Sequence, residues 1–214
     1  MVEYDSKTTV TVNGAQVVVG GSNANDVKAT SKEDKFKEDS KLQFDEKYFK
    51  DLTNKDVTDD FGRPASKWMI KNKEVGTYAK DADATYTAQV KTGDIYSDLS
   101  LSKSVKADIT VDGKDDGTAN IAKKGDTKLG ANGVLTEVYL VKEDDEIVGA
   151  DIIQINTYVG EVEDIDENKD DERYIVVDGK NYVTEEFEED DIVLYTEADG
   201  EIQSVALAEK LEGT

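Results

Sequence analysis

The sequence predicts a mainly β fold, antiparallel and hairpin-rich, arranged as small barrels or sandwiches with one short helix. Three observations point there. Asn-Gly or Asp-Gly dipeptides sit between runs of β-forming residues, which supplies the positive φ angles of a type I′ hairpin turn. Short Val-, Ile- and Tyr-rich runs recur about every ten residues with turn residues between them. Only one stretch has apolar residues at helical spacing.

Taken in chain order, TVTVNGAQVVV (9–19) is the first hairpin. Phe44, Tyr48, Phe49 and Leu52 then fall at i, i+4, i+5 and i+8, with Asp45 and Glu46 early and Lys50 late, the charge order that a helix dipole favours. This predicts a short helix near 44–52. FGRPASKWMIKNKEVGTY (61–78) holds the only Pro and the only Trp and reads as a turn entering a pair of core strands. Trp68 beside aliphatic residues is expected to pack in a core; the alternative is a platform on which a sugar ring stacks. ADITVDGKDDG (107–117) and YIVVDGKNYV (174–183) are Asp-Gly hairpins. VYLVKEDDEIVGADI (138–152) and VLYTEADGEIQSVAL (193–207) form a further pair that aligns at an offset of 55 residues, Glu146 on Glu201 and Ile147 on Ile202. An internal duplication and chance likeness between acidic hairpins both fit that alignment.

Composition narrows function more than it defines it. The 214 residues include no Cys and no His, which excludes thiol nucleophiles, His-based triads and Cys/His zinc sites. The net charge of −23 repels phosphate backbones and anionic lipid, so neither nucleic acid nor direct membrane insertion is expected. The charge is unevenly spread. Residues 134–214 carry 26 acidic against five basic side chains, net −21, whereas residues 1–133 carry 23 against 21, net −2. This predicts two domains: a mixed, mainly β domain at 1–130 containing the helix, and an acidic small β-barrel or sandwich at 131–214. The start, MVEYDSKTTV, has neither the basic nor the apolar region of a signal peptide, so an exported protein would carry its export and anchoring segments elsewhere.

No residue stands out as catalytic, cofactor-binding or metal-ligating. With 49 acids, carboxylate pairs are unavoidable and carry no information, and the chain has no nucleophile-elbow or phosphate-loop motif. No enzyme activity and no cofactor are therefore expected. DIDENKDDE (164–172) places Asp164, Asp166, Asn168 and Asp170 at alternate positions, as an EF-hand loop does. The sixth position is Lys169 where that loop needs Gly, and the twelfth is Ile175, which has no ligating oxygen, so a strand-connecting acidic loop with weak cation association is expected. Tyr78, Tyr86, Tyr96, Tyr139, Tyr158, Tyr174, Tyr182 and Tyr195 could form an exposed binding face or sit half-buried at core edges. A Lys–Asn isopeptide cross-link is a further option without a specific trio of residues.

TDDFGRPASKW (58–68), EVGTYAKDADATYTAQV (74–90), LGANGVLTEVYLV (129–141) and IIQINTYVGEV (152–162) together resemble the non-anchor regions of S-layer homology (SLH) domain proteins of Gram-positive gut bacteria. The resemblance spans about residues 45–165; the SLH repeats themselves are absent, so wall binding cannot be assigned to any residue here. It implies an extracellular bacterial cell-surface protein. The expected function is a non-enzymatic structural module of a surface-layer or cell-wall-associated protein that self-associates. The alternative is an adhesin-like module that binds an extracellular glycan or protein.

Overall fold

The structure is a computed structural model that describes residues 52–70 and 73–208, preceded by the backbone of five short strands at 2–4, 9–12, 15–18, 27–29 and 42–44. It is mainly β and hairpin-rich, with one short helix among the described residues. The chain divides into two units, Met1–Asp59 with Pro64–Lys80, and Asp60–Arg63 with Asp81–Thr214.

In the first unit β1 (Val2–Tyr4), β2 (Thr9–Val12) and β3 (Ala15–Val18) form one antiparallel sheet. β2 faces β3 with Val12 opposite Ala15, as expected for the first hairpin; its turn residues Asn13 and Gly14 lie outside the described residues. β4 (Val27–Ala29) pairs with β5 (Leu42–Phe44), and β6 (Leu52–Thr58), β7 (Pro64–Ile70) and β8 (Lys73–Ala79) make a three-stranded meander. The helix expected near 44–52 needs correcting at its ends, because Phe44 closes β5 and Leu52 opens β6; residues 45–51 lie outside the described residues. Trp68 is half-buried in the central strand of the meander, opposite Asn54 and Gly76.

The second unit holds two five-stranded sheets. One has the order β12-β11-β15-β14-β9, built from β9 (Ala84–Tyr86), β11 (Val105–Val111), β12 (Lys114–Ile121), β14 (Val134–Glu143) and β15 (Glu146–Asn156). Its antiparallel pattern is broken once, where β11 runs parallel to β15. The short pair β10 (Val90–Lys91) and β13 (Lys128–Leu129) and the helix α1 (Thr92–Asp98) supply residues to one face of this sheet. There Val90, Ile95, Leu101 and Leu129 meet Val105, Ala107, Ile121, Val138 and Ile152. The opposite face carries Tyr139, Ile153 and Ile155 against Phe61 and Ala198. β15 is thus buried on both faces, which is why ADIIQIN lacks a clean polar alternation.

The second sheet comprises β16 (Tyr158–Glu167), β17 (Arg173–Val177), β18 (Lys180–Val183), β19 (Ile192–Ala198) and β20 (Glu201–Leu207), in the order β18-β17-β16-β19-β20. Long β16 bulges between Val162 and Asp164, so its first half pairs with β19 and its second with β17. The outer strands β18 and β20 run the same way, and their Cα atoms come within 8 Å without pairing. The result is a nearly closed five-stranded Greek-key barrel around Val162, Ile175, Val177, Val193, Tyr195 and Ile202.

The domain boundary expected near residue 130 does not match this arrangement. β14 and β15 lie beyond it yet share one sheet with β9, β11 and β12, which precede it. Net charge describes outward-facing side chains, whereas strand partners are chosen by the inward-facing apolar ones, so a step in charge need not mark a step in topology.

Candidate functional site

A cluster of interacting polar groups lies where the two sheets of the second unit meet. β11 and β12 are joined by Asp112 and Gly113, both at positive φ (48° and 79°), as the Asp-Gly reading requires. Asp112 is 8% exposed, and its carboxylate turns away from its own hairpin. It accepts hydrogen bonds from the Asn156 backbone N–H (2.9 Å), the Asn156 side-chain amide (2.8 Å) and the Tyr158 hydroxyl (2.7 Å). Asn156 ends β15 and Tyr158 begins β16, so one carboxylate grips the last residue of one sheet and the first of the next. The Asp112 N–H donates to the Gln154 carbonyl, and its own carbonyl accepts the Asp199 N–H from the β19–β20 turn, each at 3.0 Å.

From Tyr158 the network continues into the barrel. The rings of Tyr158 and Tyr195 stack with centroids 5.4 Å apart and planes 28° apart. The Tyr195 hydroxyl donates to Asp178 at 2.6 Å, in the second Asp-Gly turn. Lys180 Nζ sits 5.7 Å from the centre of the Tyr195 ring and is ion-paired with Glu197. Gly160 makes room for this, since a Cβ there would overlap Val177 Cγ1 and lie 3.2 Å from the Tyr195 ring. The hydrogen bond to Asp112, reinforced by burial and by negative charge nearby, pushes the Tyr158 hydroxyl up to about 12. Burial first, and then the bond to Asp178, pushes Tyr195 up as well. Both phenols therefore remain protonated donors at neutral pH, and each named carboxylate already accepts a bond or holds an ion pair. Chemically the cluster is a latch that joins two sheets.

The residues singled out in the sequence are dispersed. The tyrosines do not assemble into one outer face. Tyr139 and Tyr195 are buried, Tyr86, Tyr96, Tyr158, Tyr174 and Tyr182 are half-buried, and Tyr78 is exposed. Five of them share a use that sequence reading missed: Tyr86 donates to Asp98, Tyr139 to Glu137, Tyr158 to Asp112, Tyr174 to Asp166 and Tyr195 to Asp178. Only Tyr139, two residues from its acceptor, could have been suspected from spacing.

DIDENKDDE forms the connection between β16 and β17. Asp164 and Asp166 are strand residues, and the Asn168 side chain accepts the N–H groups of Asp170 and Glu172 while donating to the Glu172 carboxylate. Among the described residues no group of three or more acidic side chains is placed to hold a metal ion, and no helix is long and apolar enough to cross a membrane. Compared with known proteins, the chain matches no family model, no curated protein and no solved structure.

Proposed function

We propose that this chain is a non-enzymatic structural module of a bacterial surface-layer or cell-wall-associated protein, working outside the cell and associating with copies of itself. The cell-surface setting rests on the SLH-type phrases at 58–68, 74–90, 129–141 and 152–162. The structural role rests on the Asp112 latch. The polar groups that converge there are consumed in holding two sheets together, as in a module whose task is to keep its shape. Size-exclusion chromatography with light scattering tests it over a range of concentrations at ~0.15 M salt, where the screening length is about 8 Å and repulsion between acidic surfaces is damped. Mass rising above the 23.5 kDa of one chain is expected. A constant one-chain mass throughout would remove the self-associating role.

A further inference from the structure

We infer that the seam between β18 and β20 is a binding groove for a neutral oligosaccharide. The groove has a volume of about 480 Å³ and is lined by Lys180, Asn181, Tyr182, Val183, Glu201 and Ile202 with Gly200. That volume falls within the range of small-molecule sites, roughly 300–1,000 Å³.

Its chemistry contrasts with the latch only a few residues away. Among the described residues, the latch carboxylates and phenols are all committed, and Lys180 is paired with Glu197. The Asn181 amide, the Tyr182 hydroxyl and the Glu201 carboxylate have no such partner among the described residues. The backbone adds to them. Thr184 N–H bonds to the Arg173 carbonyl, which makes 173/184, 175/182 and 177/180 the hydrogen-bonded pairs of this hairpin. The N–H and C=O of Asn181 and Val183 consequently point away from β17, towards β20, and among the described residues β18 is paired with no strand on that side.

The groove therefore offers the outer part of the Tyr182 ring, whose inner part packs on the barrel core beside the buried Ile202, together with the exposed Val183 side chain, an amide, a carboxylate and backbone donors and acceptors that no other described strand pairs. A ring with apolar C–H faces and hydroxyls at its edge matches that set: stacking on Tyr182 buries the faces, and the amide, carboxylate and backbone groups take the hydroxyls. Charge selects within the class. With Lys180 neutralised by Glu197 and a strongly acidic surface around it, a uronic-acid or phosphate-bearing saccharide is repelled. Another groove among the described residues, about 320 Å³ between Leu101–Val105 and Asp145–Ile147, has no aromatic wall and an ion pair, Lys103 to Glu146 at 3.9 Å, at its rim.

The test is amide chemical-shift perturbation of the full chain with cellotriose, mannotriose and triacetylchitotriose, each up to ~10 mM, the scale of weak binding, with trigalacturonate as the charged control. At least one neutral trisaccharide is expected to shift Asn181–Val183 and Gly200–Ile202 saturably, and trigalacturonate is not. Asn181→Ala and Glu201→Gln change exposed side chains. Each should weaken binding about tenfold without altering the melting temperature, as loss of a hydrogen bond to the ligand implies. Tyr182→Phe keeps the ring and should weaken binding less than Tyr182→Ala. The inference is overturned if no neutral trisaccharide shifts these residues, if the shifts map elsewhere, or if Asn181→Ala and Glu201→Gln both bind as the parent does. Such a failure would leave the self-association reading standing, because that reading is measured without saccharide.

Discussion

Asp112 shows how a single acidic side chain can matter more than the excess it belongs to. A buried carboxylate with three donors aimed at it is stabilising only while all three remain satisfied. Asp112→Asn would present an amide N–H₂ to groups that are themselves donors. It should cost about 2–3 kcal/mol, the scale of a hydrogen bond to a charged group, measured by urea unfolding. A cost under about 0.5 kcal/mol would show that the bridge is not what holds the sheets. The phenols set a second expectation. The folded pKa values of Tyr86, Tyr158, Tyr174 and Tyr195 lie above the usual 10.0, burial leading for three and the Asp112 bond leading for Tyr158. A group raised on folding contributes stability that is fully present below its unfolded value and lost as pH rises through its folded value. Stability should therefore fall between pH 10.0 and about 12, with tyrosinate absorbance appearing together with loss of β-sheet circular dichroism. Full ionisation near pH 10.0 with the fold intact would contradict the buried hydrogen bonds.

At the scale of the element, the two acidic hairpins that align at 55 residues prove closely alike. Their turns, Asp144-Asp145 and Asp199-Gly200, all have positive φ, and each hairpin carries a bulge at the equivalent place, Val141/Lys142 and Thr196/Glu197. The likeness stops there, since β15 lies parallel to β11 whereas β20 has no paired outer neighbour among the described residues. The β17–β18 hairpin turns at Asp178 and Gly179, and Gly179 has φ 72° with open space around it. Gly179→Val should thus destabilise through backbone conformation alone, by about 1–2 kcal/mol, whereas Gly179→Asn should be tolerated. Equal melting of both variants would mean that the turn is not left-handed. Arg173 pins the next loop by donating to the carbonyls of Thr184, Glu186 and Phe187, and Phe187 packs on the barrel core at φ 73°. Losing these charged donors in Arg173→Ala should cost about 2–4 kcal/mol. Arg173→Lys should restore only part of it, because one ammonium cannot reproduce the planar fork of donors.

Across the whole molecule, charge and topology are out of step. The acidic stretch from 134 onward supplies both an entire barrel and the two strands at the heart of a sheet whose other strands come from the nearly neutral part. A cut near residue 130 leaves β11 and β9 without their neighbours β15 and β14. Separately expressed 1–130 and 131–214 should each lose the cooperative thermal transition of that sheet, seen by calorimetry. Two fragments whose transitions sum to that of the intact chain would restore the division at 130. The intact chain should melt higher on going from ~0.01 to ~0.15 M sodium chloride, as screening shortens from about 30 to 8 Å and weakens repulsion among exposed carboxylates.

The sequence by itself determined what is local. Asp-Gly and acidic turns between β-formers specified the hairpins at 107–117, 138–152, 174–183 and 193–207, because a turn's φ angles depend on the two residues that make it. The helix escaped notice because α1 spans seven residues, Thr92–Asp98, too few turns for an apolar period to show. Non-local matters were decided only in the tertiary structure. The parallel partnership of β11 with β15, the near-closure of β18 on β20 and the meeting of Asp112 with a tyrosine 46 residues away all depend on which apolar faces pack together. Asp112 was legible as a turn residue and not as an acceptor, because its donors are brought to it by the packing of two sheets and by nothing in the residues beside it.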